Sequence, residues 1–256
     1  MPVNNIDFYY FSGTGNTLLI VKNMKAVFEK KGVVVTLFPI EKTDPSTINV
    51  DNTIGLAFPV AEQGTYPFVW DFVNALPQAE QTDVFMVDTL LAFSGGIVGP
   101  LKKIVQKKGY TPIGALEILM PNNLFPKKID ADKVAEKVEK GMKKSTLFAE
   151  SLLDGTANWG RIPVISDMMS VFSKSELSWR FLRGFYRLAV DTEKCVSCGL
   201  CAKLCPIDNI TMNTYPEFQD RCTICMRCVS FCPTEAISIP KKEHDRYKAV
   251  KASELL

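Results

Sequence analysis

All eight cysteines of the chain fall between Cys195 and Cys232. They form two runs of identical spacing, C-x-x-C-x-x-C-x-x-x-C-P. The first is Cys195, Cys198, Cys201 and Cys205 before Pro206; the second is Cys222, Cys225, Cys228 and Cys232 before Pro233. Three thiolates this close together fit on one tight loop and can hold three iron corners of a cube, while a fourth is carried away on the helical turn that follows. The prolines turn the chain after each fourth cysteine. Zinc is the competing reading, because C-x-x-C pairs bind it well. Two matched quartets with no cysteine left over favour iron–sulfur cubes. Disulfides in a secreted protein would be spread over more of the chain, so the clustering also points to a reducing cytoplasm.

A second group of residues suited to chemistry lies near the N-terminus. The apolar run Ile6–Phe11 leads into Ser12-Gly13-Thr14-Gly15-Asn16-Thr17, and helical periodicity follows. The glycines let the backbone curl without a Cβ clash. Loop N–H groups and a helix N-terminus make an anion nest, to which Ser12, Thr14, Asn16 and Thr17 add side-chain donors. The loop lacks the lysine of G-x-x-x-x-G-K-[ST] and does not fit G-x-G-x-x-G. A phosphate monoester held by hydroxyls and amides suits it better than a triphosphate with Mg²⁺. The alternative is a plain capped turn between strand and helix, which the number of converging donors disfavours.

These two sites need elements to position them. Residues 1–155 alternate apolar runs with helical patterns. Strands are expected at Ile6–Phe11, Val33–Phe38, Thr53–Phe58, Asp83–Asp88 and Ile113–Met120. Helices are expected at Asn16–Lys31, Thr65–Leu76, Ile97–Lys108 and Asp130–Leu153. Such alternation predicts an α/β fold with a five-stranded parallel sheet. The 256 residues, 46% of them apolar, suit one medium domain with a smaller second one.

Residues 195–239 resemble the 2[4Fe–4S] ferredoxins of bacteria, and 190–240 are expected to form that small α+β domain. The resemblance assigns Cys195, Cys198, Cys201 and Cys232 to one cluster, and Cys222, Cys225, Cys228 and Cys205 to the other. Residues 1–155, with a phosphate loop of the T/S-x-T-G-N-T form, resemble the flavodoxin family. That resemblance implies strand order 2-1-3-4-5 and FMN at the carboxyl edge of the sheet. The flavin ring would be flanked by Pro59, Val60 and Ala61 after the third strand and by Phe93, Ser94, Gly95 and Gly96 after the fourth. Phe93 or Tyr66 would stack on it. Together the two parts resemble flavodoxin–ferredoxin fusion proteins of anaerobes.

Between them, residues 156–189 carry five Lys/Arg against two Asp/Glu and are expected to be an interdomain helical segment. Glu176–Leu188 places Leu177, Phe181, Phe185 and Leu188 on one helical face and Arg180, Arg183 and Arg187 on another. A basic amphipathic helix can lie on a membrane, but an apolar stripe packed between domains is the stronger expectation, with Trp159, Trp179, Phe181 and Phe185 gluing the interface. Residues 241–256 read as a charged surface tail, and its His244, the sole histidine, is given no role.

The expected function is electron transfer between FMN and two [4Fe–4S] clusters, within the chain or across a homodimer contact. Such a protein converts single-electron to two-electron traffic between protein redox partners. The competing function is a flavin-dependent reductase of a small acceptor such as a quinone, a nitro compound or dioxygen. No His or Cys lies near the anion loop, Glu62 is the nearest carboxylate, and no catalytic residue is assigned. A net charge of +2 without long single-sign runs gives no electrostatic footprint for nucleic acid. No apolar stretch is long enough to span a bilayer, and no signal peptide is visible.

Overall fold

The computed structural model describes residues 5–92, 95–160, 174–240 and 242–256. Five parallel strands run in the order β2-β1-β3-β4-β5: β1 (Asn5–Tyr10), β2 (Val34–Pro39), β3 (Thr53–Pro59), β4 (Asp83–Leu90) and β5 (Thr111–Leu119). This is the expected flavodoxin-like order. Strands β1, β3 and β4 are buried along almost their full length, as near-continuous apolar runs covered on both faces require.

Helices α1 (Asn16–Lys30) and α4 (Ala131–Leu153) pack on one face of the sheet over Ile6, Phe8, Val87 and Phe85. Helices α2 (Pro67–Ala75) and α3 (Val98–Lys107) cover the other, over Tyr9, Leu56 and Met86. Gly55 leaves room for Phe8 and Phe85 to meet edge to face at 5.1 Å; a Cβ there would come within 2.7 Å of both rings. Fully burying one such phenyl contributes about 1.5–3 kcal/mol.

Residues 189–238 repeat one small motif. A strand pair joins Ala189–Val190 to Ile237–Ser238, another joins Ile210–Met212 to Pro216–Phe218, and a single helical turn follows each cysteine loop, at Leu200–Lys203 and Arg227–Ser230. Left-handed residues recur at matching places: Ser197 with Ile224, Gly199 with Met226, Asp208 with Glu235. The sequence repeat is therefore also a backbone repeat. Met226, at φ 68°, occupies a conformation its counterpart Gly199 adopts freely.

Two expectations fail. The helix Glu176–Phe185 buries Trp179, with Leu182 half-buried beside it, and Trp179 lies near Tyr66 at 5.9 Å. Leu177, Phe181 and Phe185, expected to face a core, are instead 74%, 75% and 60% exposed. A helix this short contacts its neighbour along one narrow stripe, and Trp179, with the largest side chain, takes it. Phe181 therefore stays on the surface, and Phe185 meets the C-terminal segment only through Lys242 Nζ, 4.2 Å from its ring centre, among the described residues. Residues 242–256 do not behave as a loose tail either: Tyr247 and Leu255 are buried, and the segment runs back across the sheet's carboxyl edge. Residues 161–173 of the expected interdomain segment lie outside the described residues.

Candidate functional site

The cysteines are all free, and the fold gathers them across the repeat. Cys205, Cys222, Cys225 and Cys228 line one cavity. Cys195, Cys198, Cys201 and Cys232 line another. Among the described residues, no three Cys, His, Asp or Glu side chains converge on a single ion-sized point; each quartet surrounds a space. Backbone N–H groups aim at the sulfurs, from Asn209 to Cys205 Sγ at 3.2 Å and from Ile224 to Cys222 Sγ at 3.4 Å.

Burial raises the Cys201 and Cys222 thiols, pushes Cys225 up to about 12 and raises Cys228 well above its ordinary value. Burial opposes ionisation of Cys232 too, but N–H groups of Thr234, Ala236 and Ile237 and the Thr234 hydroxyl outweigh it and lower that thiol. Loading metal onto Cys222, Cys225 and Cys228 must therefore release protons.

The anion loop follows β1, and all four of its polar side chains are buried. Three are engaged. Ser12 Oγ accepts from Leu18 N at 3.2 Å and so caps α1. Thr17 Oγ1 pairs with Thr89 Oγ1 at 2.8 Å. Asn16 donates to Pro121 O at 2.9 Å and accepts from the Tyr247 hydroxyl at 2.7 Å. Thr14 Oγ1 is buried with no partner, yet Thr14 lines a cavity of about 110 Å³. A buried hydroxyl without a partner costs free energy that a bound oxyanion would recover. Sequence reasoning treated the four donors alike; the structure singles out Thr14.

The loop touches the second cysteine cage directly. A Cβ on Gly13 would come within 2.6 Å of Cys225 O, so only glycine permits this approach. Arg227, from the turn between Cys225 and Cys228, reaches into the sheet domain. Its guanidinium donates to Ser12 O at 2.9 Å and Leu204 O at 3.3 Å, pairs with Glu41 at 2.6 Å and lies 4.7 Å from the centre of the Phe11 ring. Both side chains of the ion pair are at least 95% buried. On the other side, Ala249 N donates to Thr14 O at 2.8 Å, and Val250 packs against Gly15, which adopts φ 109°. Neither Arg227 nor Tyr247 was expected at the site. An arginine inside a cysteine motif was the one available signal, since such a charge is rarely buried without a task.

The cavity beside Thr14 is lined by Pro59, Val60, Tyr66, Leu91 and residues Asn122, Asn123 and Leu124 that follow β5. A neighbouring cavity of about 90 Å³ shares Val60, Tyr66, Asn123 and Leu124, adds Ala61, Glu62 and Trp179, and ends on Thr223, Ile224 and Met226 of the cysteine loop. Those three residues also wall the second cysteine cage. Ala61 and Gly64 close a tight turn by exchanging backbone hydrogen bonds, with Glu62 and Gln63 both left-handed. Such strain is characteristic of binding loops. Partial burial raises the Glu62 carboxyl. The loop after β4 is described only in part. Gly96 donates its N–H to Gln63 O at 2.7 Å, and neither Gly95 nor Gly96 lines these cavities. Phe93 and Ser94 lie outside the described residues.

The 4Fe–4S binding domain family matches residues 188–211 and again 216–238. No curated protein matches the sequence. Among solved structures, an archaeal flavodoxin aligns at 15% identity over 58% of this chain and 98% of its own, with a TM-score of 0.42. Flavodoxin 2 of Bacillus cereus aligns at 19% over 59% and 98%, TM-score 0.46. The rubredoxin oxygen:oxidoreductase of Desulfovibrio gigas aligns at 16% over 61% and 38%, TM-score 0.41. With the sheet order given above, the chain joins a flavodoxin-like α/β fold to a ferredoxin-type domain with two 4Fe–4S motifs.

Proposed function

We propose that the chain is an electron carrier in which FMN, seated on Ser12–Thr17, exchanges electrons with the cluster held by Cys205, Cys222, Cys225 and Cys228. The carrying observation is the run of cavities from Thr14 to Met226, ending on the wall of that cage. Clusters move electrons singly and a flavin holds one or two, so the pair converts between the two kinds of traffic. The residues fit the flavin: Thr14 offers a hydroxyl without a partner, and Ser12, Gly13, Asn16 and Thr17 line the same cavity. Binding sites for molecules of this size run to about 300–1,000 Å³, so FMN needs the two cavities joined and widened at the exposed Leu124. The protein's part is to hold the ring against Ile224 and Met226 and to keep water out.

Transfer inside one chain is the simpler reading than transfer across a homodimer, because the loop and the cage already meet at Gly13 and Cys225. A carrier is favoured over a reductase of a small acceptor for a related reason. A ring filling the cavity beside Trp179 leaves no space there for a second substrate.

Rapid mixing tests the proposal. Reductant delivered through the clusters should reduce FMN at a rate independent of protein concentration. A rate rising in proportion to concentration would mean transfer between separate molecules, and the internal route would be wrong. The phosphate site has its own test. Thr14→Val keeps the shape and removes the hydroxyl, at a cost on the order of 1.5–3 kcal/mol for a hydrogen bond to a charged group, roughly ten- to a hundredfold in affinity. FMN should lose that factor and riboflavin should not. Equal loss for both ligands would show that Thr14 does not hold a phosphate.

A further inference from the structure

A further opening borders the cage of Cys205, Cys222, Cys225 and Cys228. It is an open groove of about 680 Å³, and Cys222 lines both groove and cage. Three arginines line it: Arg180 and Arg183 on the helix Glu176–Phe185, and Arg187 two residues past its end. Glu176 and Asp220 also border it, but Glu176 is tied to Arg183 in an ion pair. Arg180 and Arg187 have no carboxylate partner among the described residues. Beside the arginines on the same helix stand the exposed Leu177, Phe181 and Phe185. The helix and the residues just after it thus present two guanidinium groups without a carboxylate partner among the described residues, beside the exposed Leu177 and Phe181 and the Phe185 ring under Lys242, at a groove that shares Cys222 with the cage.

Resting on the cluster assignment above, we infer that this face is a docking port for a small, acidic one-electron carrier protein. Carboxylates of the partner would meet Arg180 and Arg187, and an apolar patch would meet Phe181 and Phe185. Charge complementarity decides between occupants. A second copy of this chain would set arginine against arginine, which like-charge repulsion penalises. The other cage does not offer the same combination. Cys198 is exposed there, but the nearby Lys194 is already paired with Asp191 at 3.3 Å. One electron would leave the reduced cluster and arrive at the oxidised cofactor of the partner, with no proton and no bond change. The groove meets this cage at Cys222 and the flavin cavities meet it at Thr223, Ile224 and Met226, so the cage would sit between partner and flavin.

The test uses the protein with its full iron content and an acidic plant-type [2Fe–2S] ferredoxin rendered redox-inactive by gallium, so that binding is read without turnover. Calorimetry at low salt should show one-to-one binding that weakens steeply as salt is added. Arg180→Glu with Arg187→Glu should weaken it by about tenfold or more and flatten the salt dependence. Phe181→Ser should weaken it while leaving that dependence intact. Iron content and FMN reduction inside the chain should stay unchanged, which separates failure here from failure of the internal route. Three results would overturn the inference: binding indifferent to both arginines, loss on Lys194→Glu instead, or concentration-dependent self-association that Phe181→Ser abolishes. Attachment to anionic vesicles with no affinity for the acidic ferredoxin would overturn it equally.

Discussion

Changing Cys205 to alanine is expected to empty the cage built around Cys222, Cys225 and Cys228, and to spare the cage that holds Cys205's own sequence neighbours. Cys205 is four residues from Cys201 in the chain, yet it lines the cavity of the distant triplet. A four-iron cube with one thiolate missing is labile, so about half of the iron and acid-labile sulfide should be lost. The complementary change, Cys232→Ala, should strip the other cage. Spectroscopy that resolves the two clusters, paired with iron analysis, decides. Retention of the Cys222 cluster alongside loss of the Cys195 cluster would reverse the assignment. The two variants should also differ in function: only Cys205→Ala removes the cage that adjoins the cavities leading to Thr14, so only it should uncouple FMN from reductant entering through the surviving cluster.

Arg227→Ala should be the most destabilising single change away from the cysteines. It leaves Glu41 buried without its cation, Ser12 O and Leu204 O without a donor, and a void against Phe11. Breaking a buried ion pair from one side costs about 3–5 kcal/mol. Removing both charges together costs far less, because hydrophobic or neutral replacements of such a pair are often tolerated. Urea unfolding of the loaded protein should therefore show a large loss for Arg227→Ala and partial recovery in Arg227→Met with Glu41→Gln. Added salt should change little, since water and ions do not reach the pair. A loss below about 1 kcal/mol for the single change would mean that the pair is solvated and behaves like a surface bridge.

Much of this was legible from the residues. The cysteine quartets carry their own geometry, because a cube admits few spacings. The sheet followed from apolar runs of strand length separated by helical patterns, and its glycine-rich first turn announced an anion. What the residues did not disclose was how the two parts meet. Period reading marks which residues of Glu176–Phe185 share a face, but Trp179 and Phe181 both lie on plausible faces, and which one is buried depends on Tyr66, more than a hundred positions away. The same holds for Arg227, which reads as an ordinary charged residue until Glu41 and Ser12 are brought beside it. Charge in residues 242–256 suggested solvent, whereas the anchoring there comes from Tyr247 and Leu255, two apolar-bodied residues too sparse to make a pattern. The loop after β5 went unnoticed because Asn122 and Asn123 are unremarkable turn residues and only the sheet's topology puts them at the cavity.

The passage of Ala249 and Val250 over the anion loop bears on how the protein is made. Ribosomes release the chain in order, so β1, α1 and the rest of the sheet emerge long before Tyr247, Ala249 and Val250. During that interval the nascent sheet domain has its phosphate loop uncovered, with Thr14 and Gly15 open to the cell's pool of cofactor. Once Ala249 N has bonded to Thr14 O and Tyr247 to Asn16, the same loop is roofed. On the proposed seat, FMN would reach the loop most easily before these contacts form, so binding of FMN to the apoprotein should be slowed by whatever holds Tyr247 and Ala249 in place.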